Sequence, residues 1–369
     1  MQRTIAYMQE HYNEALTRKQ LAQIAGLSPW HYSRKFNEYR GMPPLEFLAR
    51  YRMYRAQELL LLTSATMQHI AWQVGFEDVH YFSRRFKQLT GVSPRNCGLH
   101  PTSRRIVALT PLCADMLIRF GTIPHAVAAT PLLLTERQLR QLEEHRIKLL
   151  PSPQFHLDTE LIARTQPDLI IGAFITEEVR MRLRAIAPII SVDHSDAELL
   201  IQQLAALFDK EAEGRSLLAQ MQREREAARS KLSPLLQSRA TVMALRVEPF
   251  GYRYLGGYAK GISELLYRNL GLSLPEPLKA GEAWFNPCSL ELLTQANPDY
   301  LFVEKRVMEH FDAEAKMNEL KQSPGWQRLK AVRLNRVFYV DTRQWVEGYG
   351  ADGQKMLLDQ IVAALTASV

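Results

Sequence analysis

Two segments within the first hundred residues follow the same pattern, and this repeat limits the possible folds more than any other feature of the sequence. LAQIAGLSPWHYSRKFNEYRGMPP occupies residues 21–44, and IAWQVGFEDVHYFSRRFKQLTGVSP occupies residues 70–94. Gly26 aligns with Gly75, and after one inserted residue SRKF aligns with SRRF. The pattern occurs only twice, about 50 residues apart, so it predicts two copies of one small unit and argues against a solenoid.

Each copy has the pattern of a helix-turn-helix unit. A short first helix packs through Leu21 or Ile70, and a glycine then makes the tight turn, because glycine adopts positive φ at little cost. Ser28 and Asp78 are suited to cap the second helix. That helix places two aromatic residues four positions apart, which favours burial of both on one face. The predicted core pairs are Tyr32 with Phe36, and Phe82 with Phe86.

The outer face of each second helix carries side chains of the kind that contact base edges and phosphates in a DNA major groove. We expect an amphipathic helix at residues 44–64 to hold the two copies at a fixed separation. The predicted DNA-contacting residues are Trp30, His31, Ser33, Arg34 and Asn37 in the first copy, and Val79, His80, Ser83, Arg84 and Lys87 in the second.

The distribution of charge supports DNA binding over the alternative, a small helical bundle with a basic, solvated face. Residues 1–98 contain 13 lysines and arginines against 7 acidic residues, whereas residues 99–369 contain 33 against 32. Nearly all of the net charge of +7 therefore lies in the first quarter of the chain. Such asymmetry predicts a polyanion-binding module joined to a larger, nearly neutral one.

The string GFEDVHYFSRRFKQLTGVSP at 75–94 closely resembles the signature of AraC/XylS-type transcriptional regulators, and the first copy resembles it more weakly. The resemblance covers residues 1–98 and implies a mainly α-helical DNA-binding domain with two helix-turn-helix units. It implies double-stranded promoter DNA as a partner, and we also expect an interaction with RNA polymerase.

Residues 104–369 alternate short apolar strands with helices, which is typical of an α/β fold with mainly parallel sheets. We expect two lobes, at about 104–193 and 236–369. One long helix at about 197–232 should run between them as a backbone. Because a cleft between two lobes is a common ligand site, we expect the effector to bind there.

The strings RIVALTP, QPDLIIG, NPDYLFV and SPGWQRLKAVRLNRVFYVD, in this order around a long helix, resemble periplasmic-type binding proteins with a helical backbone. Those proteins deliver iron–siderophores, haem and cobalamin to ABC importers. The sequence shows no signal peptide, no lipid-anchor cysteine and no apolar run of membrane-spanning length. We therefore expect a cytoplasmic protein that makes no contact with a membrane and senses its ligand. Together the two resemblances imply a siderophore-responsive activator of iron-uptake genes.

Residues on loops after strand ends should line the cleft. Ferric siderophores are anionic chelates, so arginines can donate hydrogen bonds to their oxygens, and aromatic rings can stack on theirs. For each such residue taken alone, the alternative is a solvated cation or a packed aromatic. The predicted ligand-binding residues are Thr110, Phe174, Arg246, Tyr252, Arg253, Tyr254, Trp284, Arg306, Arg343, Trp345 and Tyr349.

The sequence shows no arrangement that predicts catalysis or a directly bound metal. The cysteines Cys97, Cys113 and Cys288 have no metal-ligand spacing, and we expect reduced, unpaired thiols. The ten histidines are scattered, and no Ser-His-Asp order or paired carboxylates stand out. We expect a regulator that is not an enzyme and holds no cofactor other than its ferric siderophore effector. Two alternatives remain open: cobalamin, haem or a metal ion as the effector and, more distantly, an α/β enzyme domain.

Overall fold

The computed structural model describes the chain apart from residues 64, 98–104, 155, 173–174, 193–195, 346–349 and 368–369. The first domain is α-helical and the second is α/β with two lobes, as predicted. The helices of the first domain are α1 (Gln2–Glu10), α2 (Arg18–Ala25), α3 (Pro29–Arg40), α4 (Pro44–Leu62), α5 (Met67–Gln73) and α6 (Val79–Thr90).

The two helix-turn-helix units are α2–α3 and α5–α6, and both form as the sequence predicts. The side chains of Ser28 and Asp78 each accept a hydrogen bond from the backbone N–H three residues later, capping α3 and α6. The turn glycines have positive φ, +67° at Gly26 and +81° at Gly75. The predicted core pairs Tyr32–Phe36 and Phe82–Phe86 are fully buried.

Helix α4 connects the two units and is tied to both. The Arg52 guanidinium donates hydrogen bonds to the backbone oxygens of Tyr12, at 2.6 Å, and Gly75, at 3.2 Å. Arg85 of α6 pairs with Glu46 at 2.5 Å. Because α4 contains 19 residues, it is about 28 Å long, comparable with the ~34 Å repeat of successive major-groove segments.

The first lobe is a parallel sheet in the order β3-β2-β1-β4-β5. Its strands are almost entirely apolar, as expected for a sheet covered by helices on both faces. Ligands of such sheets bind beyond the carboxyl ends of the strands, at the point where the strand order reverses, here between β1 and β4. The elements are β1 (Ile106–Ala108), α7 (Pro111–Arg119), β2 (Ala126–Ala129), α8 (Glu136–Glu144), β3 (Lys148–Pro151), α9 (Thr159–Arg164), β4 (Leu169–Gly172), α10 (Glu177–Arg184) and β5 (Ile189–Ser191).

The helix predicted at 197–232 is divided into two helices, so the prediction of a single backbone helix with these bounds is wrong. Helix α11 spans Ala197–Leu207 and α12 spans Glu211–Lys231. The turn between them contains Asp209 with φ +54°, a left-handed conformation that an α-helix does not contain. Apolar periodicity continues on both sides of the turn, so the pattern did not reveal the break. Helix α13 (Ser233–Gln237) then leads into the second lobe.

Helices α11 and α12 pack closely in antiparallel directions. A Cβ atom added at Gly214 would lie 2.7 Å from the Cβ of Ala205, so only glycine permits this approach. Further along α12, Arg225 pairs with Glu198 near the start of α11 at 2.6 Å.

The second lobe has a mixed sheet in the order β10-β9-β6-β7-β8. Strands β6, β9 and β10 are parallel, whereas β7 and β8 are antiparallel additions that the sequence analysis did not predict. Helix α12 packs against the last helix, α19. The elements are β6 (Val242–Glu248), β7 (Gly251–Leu255), β8 (Phe285–Cys288), α14 (Leu290–Ala296), β9 (Tyr300–Lys305), α15 (Glu314–Gln322), α16 (Pro324–Arg328), α17 (Lys330–Arg333), β10 (Val337–Asp341), α18 (Thr342–Trp345) and α19 (Ala351–Thr366).

The turn glycines of the two units offer a matched pair of substitutions. A Cβ at Gly75 would lie 2.6 Å from the carbonyl oxygen of Asn13, whereas at Gly26 no atom lies within 4 Å. We expect Gly26→Ala to lower the free energy of unfolding by about 1 kcal/mol through its positive φ, and Gly75→Ala by more than about 2 kcal/mol. Urea unfolding followed by circular dichroism measures both. Equal losses would contradict the steric role of the Asn13 contact.

Candidate DNA interface and ligand cleft

The recognition helices α3 and α6 present the predicted DNA-contacting side chains on the side opposite their buried aromatics. Trp30 is 68% exposed, and the Arg34 guanidinium lies over its ring, 5.1 Å from the centroid. Arg34 also lies 3.6 Å from Glu38, an exposed ion pair of little stability that a phosphate can replace. Of the remaining predicted residues, Asn37, His80, Arg84 and Lys87 are exposed, whereas His31, Ser33, Val79 and Ser83 are half-buried.

Tyr81 belongs to the same face, although the sequence analysis did not include it. Its side chain is 52% exposed, and it occupies the position that His31 occupies in the first copy. The repeat alignment therefore contained the signal that identifies it. By contrast, the Ser33 hydroxyl donates to the backbone oxygen of Pro29 at 2.9 Å and so bonds within its own helix.

The two lobes of the second domain face each other across a cleft that contains a cavity of about 290 Å³. The first-lobe wall is the N-terminal turn of α8, which Thr135 and Gln138 close with reciprocal hydrogen bonds. The second-lobe wall follows the end of β10. The lining residues are Thr135, Glu136, Arg137, Arg140, Asp341, Arg343, Gln344, Gly353 and Met356.

The cations that line this cavity are engaged to different degrees. Arg343 donates to the Asp341 carboxylate, with its closest contact at 2.7 Å. Burial opposes ionisation of Asp341, but the hydrogen bonds from Arg343 outweigh it and hold the pKa of that carboxyl below its usual value. Arg137 pairs with the buried Asp115 at 2.5 Å. The Arg140 side chain is 66% exposed, so among the lining cations it is the most accessible to an anionic ligand.

Arg137 and Arg140 are absent from the predicted ligand residues because the sequence analysis did not identify β2. That strand has the sequence AVAA, whose small side chains give a weak strand signal. With β2 assigned, the capped segment TERQLR at 135–140 would follow a strand end at the cleft edge.

Arg246, a predicted ligand residue, lies buried at the carboxyl end of β6. Its guanidinium makes two hydrogen bonds to Glu304, at 2.8 and 3.1 Å, and lies 3.4 Å from the centroid of the Phe285 ring. Glu304 also accepts a hydrogen bond from the Thr342 hydroxyl at 2.7 Å. Arg246 therefore links the ends of β6, β9 and β10, and Phe285 must move before this guanidinium can touch a ligand.

Hydrogen bonds and ion pairs bridge the two lobes. The backbone N–H of Gln154 donates to the Glu309 carboxylate at 2.6 Å, and its side-chain amide donates to the Val307 carbonyl at 3.4 Å. Elsewhere along the lobe boundary, Arg119 pairs with Asp352 at 2.8 Å. Any change in the angle between the lobes must therefore break or reshape these contacts.

Strand β7 explains why the aromatic residues of the segment 246–257 do not all face the cleft. Side chains alternate along a strand, so Tyr252 and Tyr254 share the face that packs on a hydrophobic core. The Tyr252 hydroxyl donates to the backbone oxygen of Lys316 in α15, at 3.5 Å. Arg253 lies on the other face and pairs with Glu248 at 3.0 Å.

The prediction that Tyr254 and Trp345 line the cleft is wrong in this structure. They are 5% and 3% exposed, and both pack in the second-lobe core. Trp284 is half-buried beside Phe285. Thr110 lies at the carboxyl end of β1, where it caps α7, and Arg306 directly follows β9. The predicted Phe174 and Tyr349 lie outside the described residues.

The described residues contain no group of three or more histidine, cysteine or acidic side chains placed to hold a metal ion. Cys97, Cys113 and Cys288 are all buried. Burial raises the pKa of Cys113 to about 11, so this thiol stays protonated near neutral pH. Within the described part of the chain, no helix is both long and apolar enough to span a membrane.

Comparison with known proteins accounts for both domains. Residues 106–343 match the family described as periplasmic binding protein, and this match covers more than half of the chain. The chain belongs to the periplasmic binding protein family. Residues 21–97 match a helix-turn-helix domain, which is of the AraC type. Together the domains are those of a ligand-sensing transcriptional regulator.

One relative has both domains along nearly the whole chain. The HTH-type transcriptional activator Btr of Bacillus subtilis (strain 168) is 26% identical over 375 residues, covering 99% of this chain and 68% of Btr.

The second domain matches solved structures that include two complexes with siderophores. SirA of Staphylococcus aureus complexed with staphyloferrin B has a TM-score of 0.62 and 21% identity, covering 72% of this chain and 94% of SirA. The triscatecholate siderophore binding protein FeuA of Bacillus subtilis complexed with ferri-bacillibactin has a TM-score of 0.59 and 21% identity, covering 72% of this chain and 93% of FeuA. At these identities the matches show a shared fold.

Arg34→Ala and Arg84→Ala test the DNA interface. If each guanidinium contacts a base, each substitution should weaken binding to a duplex selected from a random pool by about 1–3 kcal/mol, with a smaller effect on unrelated DNA. Fluorescence anisotropy with both duplexes measures the difference. Arg182→Ala, which removes a 59% exposed side chain from α10, is the control and should change neither. Equal losses on both duplexes would mean that the arginines contact only phosphates.

Proposed function

We propose that this protein is a cytoplasmic transcriptional activator of iron-uptake genes that binds a ferric siderophore in its interlobe cleft. The observation that carries the proposal is the joining of an AraC-type DNA-binding domain to a bilobed domain whose cleft is lined by three arginines. Btr, which aligns with nearly the whole chain, is a transcriptional activator. SirA and FeuA, which share the fold of the second domain, were solved with siderophores bound.

The cleft chemistry suits an anionic chelate. Carboxylate or catecholate oxygens can accept charge-assisted hydrogen bonds from Arg140 and Arg343, and Asp341 holds the second of these in a fixed orientation. The N-terminal turn of α8 forms the first-lobe wall of the cavity, and the positive end of its helix dipole favours a bound anion. Binding through arginine and backbone dipoles needs no catalytic group, in keeping with a regulator that is not an enzyme.

On DNA, the two recognition helices would occupy successive major-groove segments. Exposed arginines on α3 and α6 would then contact bases and phosphates, while α4 sets the spacing between the units. Activation further requires contact with RNA polymerase, which we assign to the DNA-bound first domain. Because promoter DNA lies in the cytoplasm, the protein would sense the siderophore after its import.

A ligand titration tests the effector. The intrinsic tryptophan fluorescence of the full chain should be quenched by one ferric siderophore from a panel, with a Kd below about 1 μM. Trp284 contacts Phe285, whose ring lies over the Arg246 guanidinium. We therefore expect Trp284 to report ligand binding through a change in its fluorescence. Cobalamin, haem and free ferric ion serve as comparison ligands. A response to one of these, with silence across the siderophores, would replace the proposed effector.

Arg140→Ala tests the location of the site. Loss of one charge-assisted hydrogen bond, worth about 1.5–3 kcal/mol, should raise the Kd of the ferric siderophore about tenfold or more. Arg328→Ala, which removes an exposed arginine from α16 of the second lobe, is the matched control and should leave the Kd unchanged. Unchanged affinity in Arg140→Ala would place the ligand elsewhere in the domain.

A further inference from the structure

A buried carboxylate of the first domain contacts the edge of the first lobe. Glu58 of α4 is 3% exposed, and its Oε1 atom accepts a hydrogen bond from the backbone N–H of Ile189, the first residue of β5, at 3.0 Å. Strand β5 is an edge of the first sheet, so Glu58 binds a donor that would otherwise face a missing strand. Its Oε2 atom faces Arg55 of the same helix and, at 3.5 Å, the Nε atom of Arg184 in α10.

Contacts around Glu58 extend the junction to other helices of the first domain. The Gln9 side-chain amide donates to the Met181 carbonyl at 2.6 Å, and Arg40 at the end of α3 donates to the Ala185 carbonyl at 3.2 Å. Ala185 packs in the hydrophobic core of the first unit, while Leu61 of α4 packs against the core of the first lobe. We refer to these contacts, with Glu58 at their centre, as the α4–β5 contact.

The second helix-turn-helix unit is held differently. In the described part of the chain, its hydrophobic core is built from residues of the first domain. It is attached to α4 through the Arg85–Glu46 pair and through the Arg52 hydrogen bond to Gly75. The first unit thus contacts the first lobe directly, whereas the second unit is attached to the lobe through α4.

The strand that receives Glu58 also leads to the crossing between the lobes. After β5 come α11, which packs in the core of the first lobe, and α12, which runs back along α11 and joins the core of the second lobe. Asp196 caps α11 and pairs with Lys260 of the second lobe at 3.3 Å. A change in the angle between the lobes therefore acts on Asp196, which lies seven residues after Ile189, the residue that binds α4.

We propose that the α4–β5 contact transmits closure of the cleft to the DNA-binding domain. It makes the DNA-binding domain and the first lobe one body, so a ligand-driven change in lobe angle alters the position of the second lobe relative to α3 and α6. The identity of the ligand in this scheme rests on the proposed function, but the contact between the domains does not.

Two substitutions weaken the contact without leaving Glu58 unmatched. Arg184→Ala removes one facing arginine and keeps Arg55, so the buried carboxylate remains compensated. Glu58→Gln keeps an oxygen for the Ile189 N–H but removes the charge that holds both arginines. The matched control is Arg182→Ala, since Arg182 lies on the same helix, is exposed and pairs with the exposed Glu178.

The first measurement is the change in DNA affinity caused by the ferric siderophore that quenches the full chain. In the wild type and Arg182→Ala we expect a change of about fivefold or more. In Arg184→Ala and Glu58→Gln we expect less than about twofold, while the siderophore Kd and the siderophore-free DNA Kd stay within about twofold of wild type. If both variants bind siderophore and DNA and keep the full wild-type change, the proposal is overturned.

The second measurement needs no ligand and separates this inference from the proposed function. Hydrogen–deuterium exchange of the peptide covering 185–192 includes the Ile189 amide among the amides that it reports. We expect exchange to be about tenfold or more faster in Arg184→Ala and Glu58→Gln than in the wild type and Arg182→Ala. This result would support the contact even if every siderophore failed to bind, in which case only the effector assignment falls. Equal exchange in all four proteins would overturn the contact itself.

Discussion

A carboxylate removed from water and placed on an edge strand fixes how the two domains of this protein meet. Burial of an unpaired charge costs several kcal/mol, so Glu58 is tolerated only where donors meet both of its oxygens. Those donors are the Ile189 amide, Arg55 and Arg184, and they come from both sides of the junction. Apolar packing alone would allow the domains to slide, whereas this directional set permits one relative orientation. The DNA-binding domain and the first lobe therefore behave as one rigid unit.

The anion site proposed in the cleft depends on a related principle, in which paired charges hold arginine side chains in place. Arg137 and Arg343 already have carboxylate partners, which orient their guanidinium groups before any ligand arrives. An anionic ligand then competes with or adds to existing pairs, so its shape matters as much as its charge. The buried Arg246–Glu304 pair below them is different, because Phe285 covers it. Its role in the structure at hand is to connect three strand ends.

Local signals made the first domain predictable from sequence. Helix caps, turn glycines and aromatic pairs each depend on residues no more than four positions apart. Each of these signals appears in both copies, so one copy supports the interpretation of the other. Tyr81, which the prediction lacks, aligns with His31 in the repeat, so the sequence contains the signal for it as well. The second domain depends more on distant contacts. The AVAA strand β2 carries almost no strand signal, and the turn at Asp209 interrupts a pattern that remains apolar on both sides.

The interface between the domains was beyond sequence reasoning for a physical reason. In the string AQELLLL, Glu58 is one of two polar residues before four leucines, and its partner amide lies 131 residues away. No local pattern indicates that an edge strand will supply the donor. The prediction of Tyr254 as a ligand residue is wrong for a related reason: the sequence favours a loop at 252–254, whereas antiparallel pairing places the tyrosines of β7 on a core.

The two recognition helices are tandem copies with unlike faces, and this gives the complex with DNA a polarity. Where α3 carries Trp30, α6 carries His80, and where α3 has Asn37, α6 has Lys87. A single chain that uses both helices therefore reads two unlike half-sites in a fixed order. Reversing such an operator in a promoter would reverse the direction in which the whole protein lies along the DNA. The orientation of the operator, as well as its distance from the start of transcription, then decides on which side the second domain stands.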